Sequence, residues 1–478
     1  MVILRAAWVV PVSSPPIRDG CVEIVGERIA WVGPFAQLAS CQGGAHERAD
    51  DRREVVRGLP ARALTEKPPV PPAREPKRAG DAGSHAAIED LGDVILTPGL
   101  VNPHTHLELT CYAGRIPPGP FWPWFQRLLA LRREPGALAR ETAAVVDGAW
   151  QSLRAGVTCV GDISRCNVHW RALKPLPIRK VCFVELLSLA DHPPRDPREL
   201  RAAVEEVEED ALLTVGVTPH APYTVPAAQV RAAIGLAAEL RRPWTMHLAE
   251  TSEEVAFLRG ERGALPRMLE ALLEQCGIES PRQGPVEFVQ SVARPPWAGP
   301  GALSSATVAE EHRRGRLWQT AAASLAHLNY VEDGELDALT ATGCVAIYCP
   351  RAHSFFGHVP HPFRRMQAAG IPVALGTDSL ASNDSLSMLD EMRFVHTQLP
   401  DPPSPAELLR MATLEAARAL GLAEQIGSLE PGKLSDLAAF PLPPGASDPI
   451  VALIDRPSRA RALWMGGTRV DRSGFRPR

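Results

Sequence analysis

From Asp93 to Ser379, short apolar runs of strand length alternate with longer amphipathic stretches, and nearly every run ends in His, Asp or Glu. The runs are VILTPGLVNPH, VTCVGDI, KVCFVEL, LLTVGVTPH, WTMHLAE, SLAHLNY, CVAIYCP and VALGTDS. Helix-like segments such as ETAAVVDGAWQSLRAG and PAAQVRAAIGLAAELR separate them. Eight strands with helical connections are what a closed parallel barrel requires, although an open doubly wound sheet would give the same alternation. The polar residues separate the two, because barrel enzymes gather their chemistry at the C-terminal ends of the strands. The expected fold class is therefore α/β, with a (β/α)8 TIM barrel at its centre.

The flanks read differently. Residues 1–40 alternate apolar and polar positions, with turn signals at Arg18-Asp19-Gly20 and Gly26-Glu27-Arg28, as in a small β-meander. GSLEPGKLSDLAAFPL and RALWMGGTRV read as strands that return to it. The expected organisation is a small β-sandwich domain from 1–42 and 421–478, around a barrel spanning 91–420. Residues 43–90, which include KPPVPPAREPKRAGDAG, lack the apolar periodicity needed to offset ordering entropy. They read as a low-complexity insertion, expected to be mobile.

A net charge of −4 gives no reason to expect nucleic acid or an acidic membrane surface as partner. No run approaches the roughly 20 apolar residues of a membrane span. The opening MVILRAAWVVPVSSPP has one Arg and a short apolar run before adjacent prolines, which suits a strand better than a secretory signal. Nine cysteines without a CxxC pair suit reduced thiols. A cytoplasmic location is expected.

In PHTHLEL, residues two apart face the same side of a strand, so His104 and His106 form a usable metal pair. Two surface histidines would explain that motif equally well. TMHLAE adds His247 and, three residues on, Glu250, which must lie past the strand's end where the backbone turns over the barrel mouth. SLAHLNY adds His327 and VALGTDS adds Asp378. A single His at a strand end is more often structural than functional. The weight lies in five such positions at one barrel edge.

A divalent ion lowers the pKa of bound water from about 15.7 to about 7, or about 12 kcal/mol at 1.36 kcal/mol per unit. Neutral imidazoles with one carboxylate leave a coordination position open for that water. Asp378 suits both ion binding and acceptance of the water's proton. Glu250 suits a shuttle to a ring nitrogen and then to a leaving amine. His327 suits holding the attacking water or the developing oxyanion.

The motifs PGLVNPHTHLEL, TPHAPYTV, MHLAET, AHLNY, CPRAHSFFGH and GTDSLASND, with the closing GSLEPGKLSDLA, resemble the amidohydrolase superfamily over most of the chain outside the insertion. The resemblance is to its mononuclear deaminases and chlorohydrolases. It implies His104, His106, His247 and Asp378 as ligands of one Zn or Fe ion, Zn foremost, with Glu250 as acid/base and His327 as water-orienting residue. Binuclear members use a bridging carboxylated Lys or a Glu on the third or fourth strand. LLTVGVTPH has no Lys, and Glu185 in KVCFVEL is the residue that would contradict a single ion.

HTHLEL with CPRAHSFFGH is most similar to aminofutalosine deaminase-like proteins, though CPRAHSFFGH would also serve simply to pack the seventh strand. GPVEFVQSVARPPWAGPGALSS, where substrate loops would lie, departs from that pattern. Expected pocket residues are Glu108, Trp122, Trp124, His220 and Arg351, the tryptophans either stacking on a planar ring or packing as a core. The expected activity is hydrolytic deamination of an amino-substituted heterocycle, an adenine-type nucleoside or related purine such as aminofutalosine. Alternatives are dechlorination of a triazine-like ring, cyclic-amide hydrolysis, or a non-enzymatic binding role that the presence of all six polar residues opposes. Glu250 favours deamination, because an amine leaves only once protonated, although some chlorohydrolases keep a similar Glu. The expected partners are a small heterocyclic substrate and, at most, a second copy of the chain in a homodimer.

Overall fold

The computed structural model describes residues 1–38, 87–189, 194–293 and 322–471. The insertion expected at 43–90 lies, apart from its last four residues, outside the described residues.

The chain opens with β1 (Val2–Val9), β2 (Ile17–Val25), β3 (Arg28–Pro34), β4 (Ala87–Asp90) and β5 (Val94–Pro98). The eight strands of the barrel follow: β6 (Leu100–Thr105), β7 (Val157–Ser164), β8 (Arg179–Leu186), β9 (Leu213–Pro219), β10 (Trp244–Leu248), β11 (Ala323–His327), β12 (Val345–Tyr348) and β13 (Val373–Leu375). β14 (Leu437–Pro441), β15 (Ala462–Met465) and β16 (Thr468–Arg469) close the described chain.

β6 to β13 pair in chain order, every pair parallel. A parallel bridge between Thr105 and Asp378 joins the last strand to the first, as a (β/α)8 TIM barrel demands. These strands read as apolar runs because both faces are covered. On β8, Val181 and Phe183 belong to the cluster filling the barrel, whereas Cys182, Val184 and Leu186 join the core under the helices. That two-residue alternation carries Glu185 inward as well.

The remaining strands form an eight-stranded mixed sheet in the order β16-β15-β14-β5-β1-β2-β3, with β4 also on β1. Leu4, Val22, Ile24 and Ile29 from its first part share one apolar cluster with Leu437, Ala439 and Trp464 from its last, so the sheet folds over its own core.

Two local expectations are corrected. Val94–His104, read as one strand, is two: β5 pairs with β1 and β14, and β6 opens the barrel. Gly99 is the break, since a Cβ there would lie 1.9 Å from Thr158 Oγ1. The signal at Arg18-Asp19-Gly20 is not a turn. Those residues lie inside β2 opposite β1, Asp19 taking a left-handed φ of 45° and pairing its carboxylate with Arg5 at 2.8 Å. The departing segment 284–305 begins with the helix Pro285–Ala293, which buries Val286, Phe288, Val289 and Val292 in the core under the helices; from 294 on it lies outside the described residues.

Candidate active site

At the C-terminal ends of the barrel strands lies a cavity of about 520 Å³, into which His106, His247, Glu250, His327 and Asp378 all project. His104, His106 and His247 bring ligand nitrogens within 4.8 Å of one another. Asp378 Oδ1 is 3.9 Å from His104 Nε2 and 3.8 Å from His106 Nε2. Three imidazoles, from β6, the residue just past it and β10, thus cluster together, and the turn after β13 sets the Asp378 carboxylate beside two of them.

Each has local help. His247 Nδ1–H donates to the His220 carbonyl at 2.9 Å, which leaves its Nε2 as a lone pair facing the cavity. The Asp378 N–H donates to the His104 carbonyl at 3.1 Å, and Ser382 Oγ–H donates to Asp378 Oδ2 at 2.8 Å, leaving Oδ1 for the histidines. The Leu107 N–H donates to Asp162 Oδ1, and Asp162 Oδ2 is 2.7 Å from His169 Nδ1, which anchors the chain just past His106.

These residues fit a bound cation. His104 is fully buried, yet neither ring nitrogen has a hydrogen-bond partner among the described residues. His106 Nε2 lies 3.3 Å from His247 Nε2. Burial, reinforced by neighbouring imidazoles, holds His104 and His106 well below the usual histidine range, and burial pushes His247 down to about 4. Three neutral imidazoles and one carboxylate oxygen are a donor set for a borderline divalent metal. Among the described residues no second group of this kind occurs.

Glu250 sits past the end of β10, where Ala249 takes φ 50° and turns the chain over the mouth. Its Oε1 is 3.6 Å from His327 Nε2. Burial, then the charges of Asp378 and Glu254, raise its carboxyl well above the usual range. His327 ends β11 with φ 75°, its ring stacked on His247 at 5.4 Å.

Glu108, Trp122, Trp124 and His220 line the cavity. Glu108 Oε1 accepts from Arg132 at 2.9 Å, while its buried Oε2 has no partner among the described residues. Trp124 Nε1–H donates to the Ala381 carbonyl at 2.7 Å, and both tryptophans join an apolar cluster roofing the mouth with Phe121, Leu128, Tyr223 and Leu269. His220 Nε2 is 4.0 Å from Glu185 Oε1; Glu185 also faces the cavity, pushed by burial up to about 7. Arg351 is not brought to the site. It lies outside the cavity lining, ion-paired with Asp384 and Asp390, because it starts the helix Pro350–Phe356 beside that acidic turn.

Sequence reasoning missed Arg132 and Arg165, cavity residues that meet the fully buried Glu141. It also missed Glu254 and Asn329, which hold the Glu250 peptide. The pattern Thr251-x-x-Glu254 is a capping-box signature and was the available signal for the third of these.

The amidohydrolase family model matches residues 95–470. The 5-methylthioadenosine/S-adenosylhomocysteine deaminase of Moorella thermoacetica is 26% identical over 455 residues, covering 91% of this chain and 84% of that one. The 5'-deoxyadenosine deaminase of Methanothermobacter thermautotrophicus is 28% identical over 377 residues, 75% of each chain. Among solved structures, aminofutalosine deaminase from Helicobacter pylori, in complex with methylthio-coformycin, aligns with TM-score 0.75 at 20% identity over 98% of this chain and all of that one. A zinc-bound adenosine deaminase from Xanthomonas campestris gives 0.70 at 22%, covering 98% and 92%. A zinc complex of atrazine chlorohydrolase from Arthrobacter aurescens gives 0.70 at 18%, covering 98% and 95%.

Proposed function

The chain belongs to the amidohydrolase family, and on that footing we propose that it is a mononuclear metal-dependent deaminase of an adenine-type nucleoside, with ammonia as product. The observation that carries the reading is Glu250: a buried carboxyl, raised well above its usual range, 3.6 Å from His327 and facing the three-imidazole cluster. Burial favours the protonated form of such a group, and deamination needs a proton where the amine departs.

Zinc is the ion best suited to this set, and held by His104, His106, His247 and Asp378 it would supply a water ionised near neutral pH. Asp378 accepts the proton of the attacking water. His327 Nε2 hydrogen-bonds the incoming oxygen. Glu250 delivers its proton to the ring nitrogen beside the attacked carbon. After the C–O bond has formed, the hydroxyl proton passes through Glu250 to the exocyclic amine, the C–N bond breaks, ammonia leaves a carbonyl behind, and the proton held by Asp378 returns to Glu250. Glu108 and His220 offer hydrogen bonds to the sugar or ring, and Trp122 offers a face for stacking. Arg132 and Arg165 are occupied by Glu108 and Glu141, and Leu187, Leu189, Leu269 and Leu272 add apolar lining, which favours a nucleoside whose 5′ end carries no phosphate. The names of the relatives are consistent with such a substrate.

Dechlorination is the second reading, favoured only by likeness in fold to a chlorohydrolase. A chloride needs no protonation to leave, so it gives the Glu250 proton less to do. We assign the protein to the cytoplasm, in keeping with eight free cysteines among the described residues; no helix there is long and apolar enough to cross a membrane. The test is ammonia release by zinc-loaded protein across adenine nucleosides, guanine nucleosides and aminotriazines. Turnover is expected for adenine nucleosides, with 5′-uncharged ones ahead of 5′-phosphates. No ammonia from any adenine nucleoside would remove the proposal.

A further inference from the structure

β10 and β11 both end in turns that L-residues enter reluctantly: Ala249 has φ 50°, and His327 and Leu328 have φ 75° and 54°. Left-handed backbone of this kind persists only where surrounding groups over-determine it, and it gathers at functional sites. Here the groups can be named. The Ala249 and Glu250 N–H groups donate to the two oxygens of Glu254, each at 2.9 Å. Glu254 is itself fully buried and fixed, its N–H donating to Thr251 Oγ1 at 3.1 Å in the first turn of the helix Ser252–Arg259. From the other turn, Asn329 Nδ2–H donates to the Glu250 carbonyl at 2.9 Å, and the Leu328 N–H donates to the Leu248 carbonyl at 2.9 Å.

Asn329 lies two residues past His327, so this bond ties the peptide carrying Glu250 to the turn carrying His327. The Glu250 carboxyl stands 3.6 Å from His327 Nε2, longer than a hydrogen bond, so its aim depends on how its backbone is held. We infer that Glu254 and Asn329 are positioning residues, gripping the Glu250 peptide at its N–H and its carbonyl and so holding the carboxyl in register with His327. The inference rests on the deaminase reading for its kinetic readout alone.

The test uses zinc-loaded Asn329→Asp, Asn329→Ser and Glu254→Gln. The first sets a carboxylate oxygen against the Glu250 carbonyl, the second withdraws the donor beyond reach, and the third keeps one acceptor oxygen. A misplacement near 1 Å costs up to about 100-fold, so both Asn329 variants should lower kcat about 10- to 100-fold. KM should stay within about twofold, because substrate binding is untouched. Zinc content should equal that of the unaltered protein, and Glu254→Gln should lose less than Asn329→Asp. Crystal structures of the Asn329 variants should show the Glu250 carboxyl displaced from His327. Unaltered kcat in Asn329→Asp would overturn the inference, and so would a kcat loss with the Glu250–His327 separation unchanged. Should Glu254→Gln fail to fold, the two Asn329 variants decide. Should the unaltered protein turn over no adenine nucleoside, the deaminase reading falls, while the structural comparison still decides the positioning role.

Discussion

Replacing Glu250 with Gln takes one proton from the cavity and changes little else. The side chains are isosteric, and Glu254 and Asn329 hold residue 250 through backbone atoms that the exchange leaves in place. Glu250 is not among the imidazoles that converge on the cation site, so fold and zinc content should match those of the unaltered protein. A positioned general acid contributes typically about 10²- to 10⁴-fold. At about 1.4 kcal/mol per tenfold, that is about 3–6 kcal/mol of transition-state stabilisation. Glu250 is 7% exposed, so bulk water is a poor substitute donor and the loss should fall in the upper half of that range. The assay is steady-state ammonia release from an adenine nucleoside, run beside chloride release from the 6-chloropurine analogue. Only the amine must be protonated to depart, so the variant should lose at least about 10³-fold on the amino substrate and less on the chloro substrate. A fully metallated variant within about tenfold of the original rate on the amino substrate would refute the proton-shuttle argument.

Gly99→Ala pushes a Cβ to 1.9 Å from Thr158 Oγ1 at the junction of sheet and barrel; overpacking of this kind costs about 1–3 kcal/mol, visible as a lowered thermal midpoint that Thr158→Ala restores in part. Arg351→Ala should leave KM for the nucleoside within about twofold, as expected of a residue outside the cavity lining; a large rise in KM would return it to the substrate site. Burial raises Glu391 from the usual value near 4.5 to about 8, so its contribution to stability is complete below pH 4.5 and is lost as pH rises through about 8. Glu391→Gln, a mimic of the neutral acid, should therefore lose less thermal stability than the unaltered protein between about pH 5 and pH 9. Parallel melting curves in the two proteins across that interval would contradict this.

The barrel was legible because its eight strands are buried on both faces and so read as apolar runs closed by polar residues. His104, His106, His247, Glu250, His327 and Asp378 were legible as candidates for the same reason: a polar residue ending an apolar strand has few reasons to be there. Less local features escaped. The break at Gly99 depends on Thr158, a neighbour brought in by the fold and 59 positions away in sequence. Asp19 carries a left-handed backbone inside a paired strand, which looks like a turn until its partner strand is known. Arg351 follows a strand end as its expected cavity neighbours do, yet the acidic pair Asp384 and Asp390 decides where it points. Arg132 was passed over because helical spacing shows which face is apolar and says nothing of buried partners such as Glu108 and Glu141.

Metal content and ammonia release, followed together through chelation and stepwise return of zinc, go most directly to the question of whether one cation among four side chains does the chemistry. Activity should vanish with the ion and come back in proportion to it, reaching its plateau at one zinc per chain. Catalysis by the stripped protein, or a plateau that requires a second ion, would contradict the single-ion centre at His104, His106, His247 and Asp378.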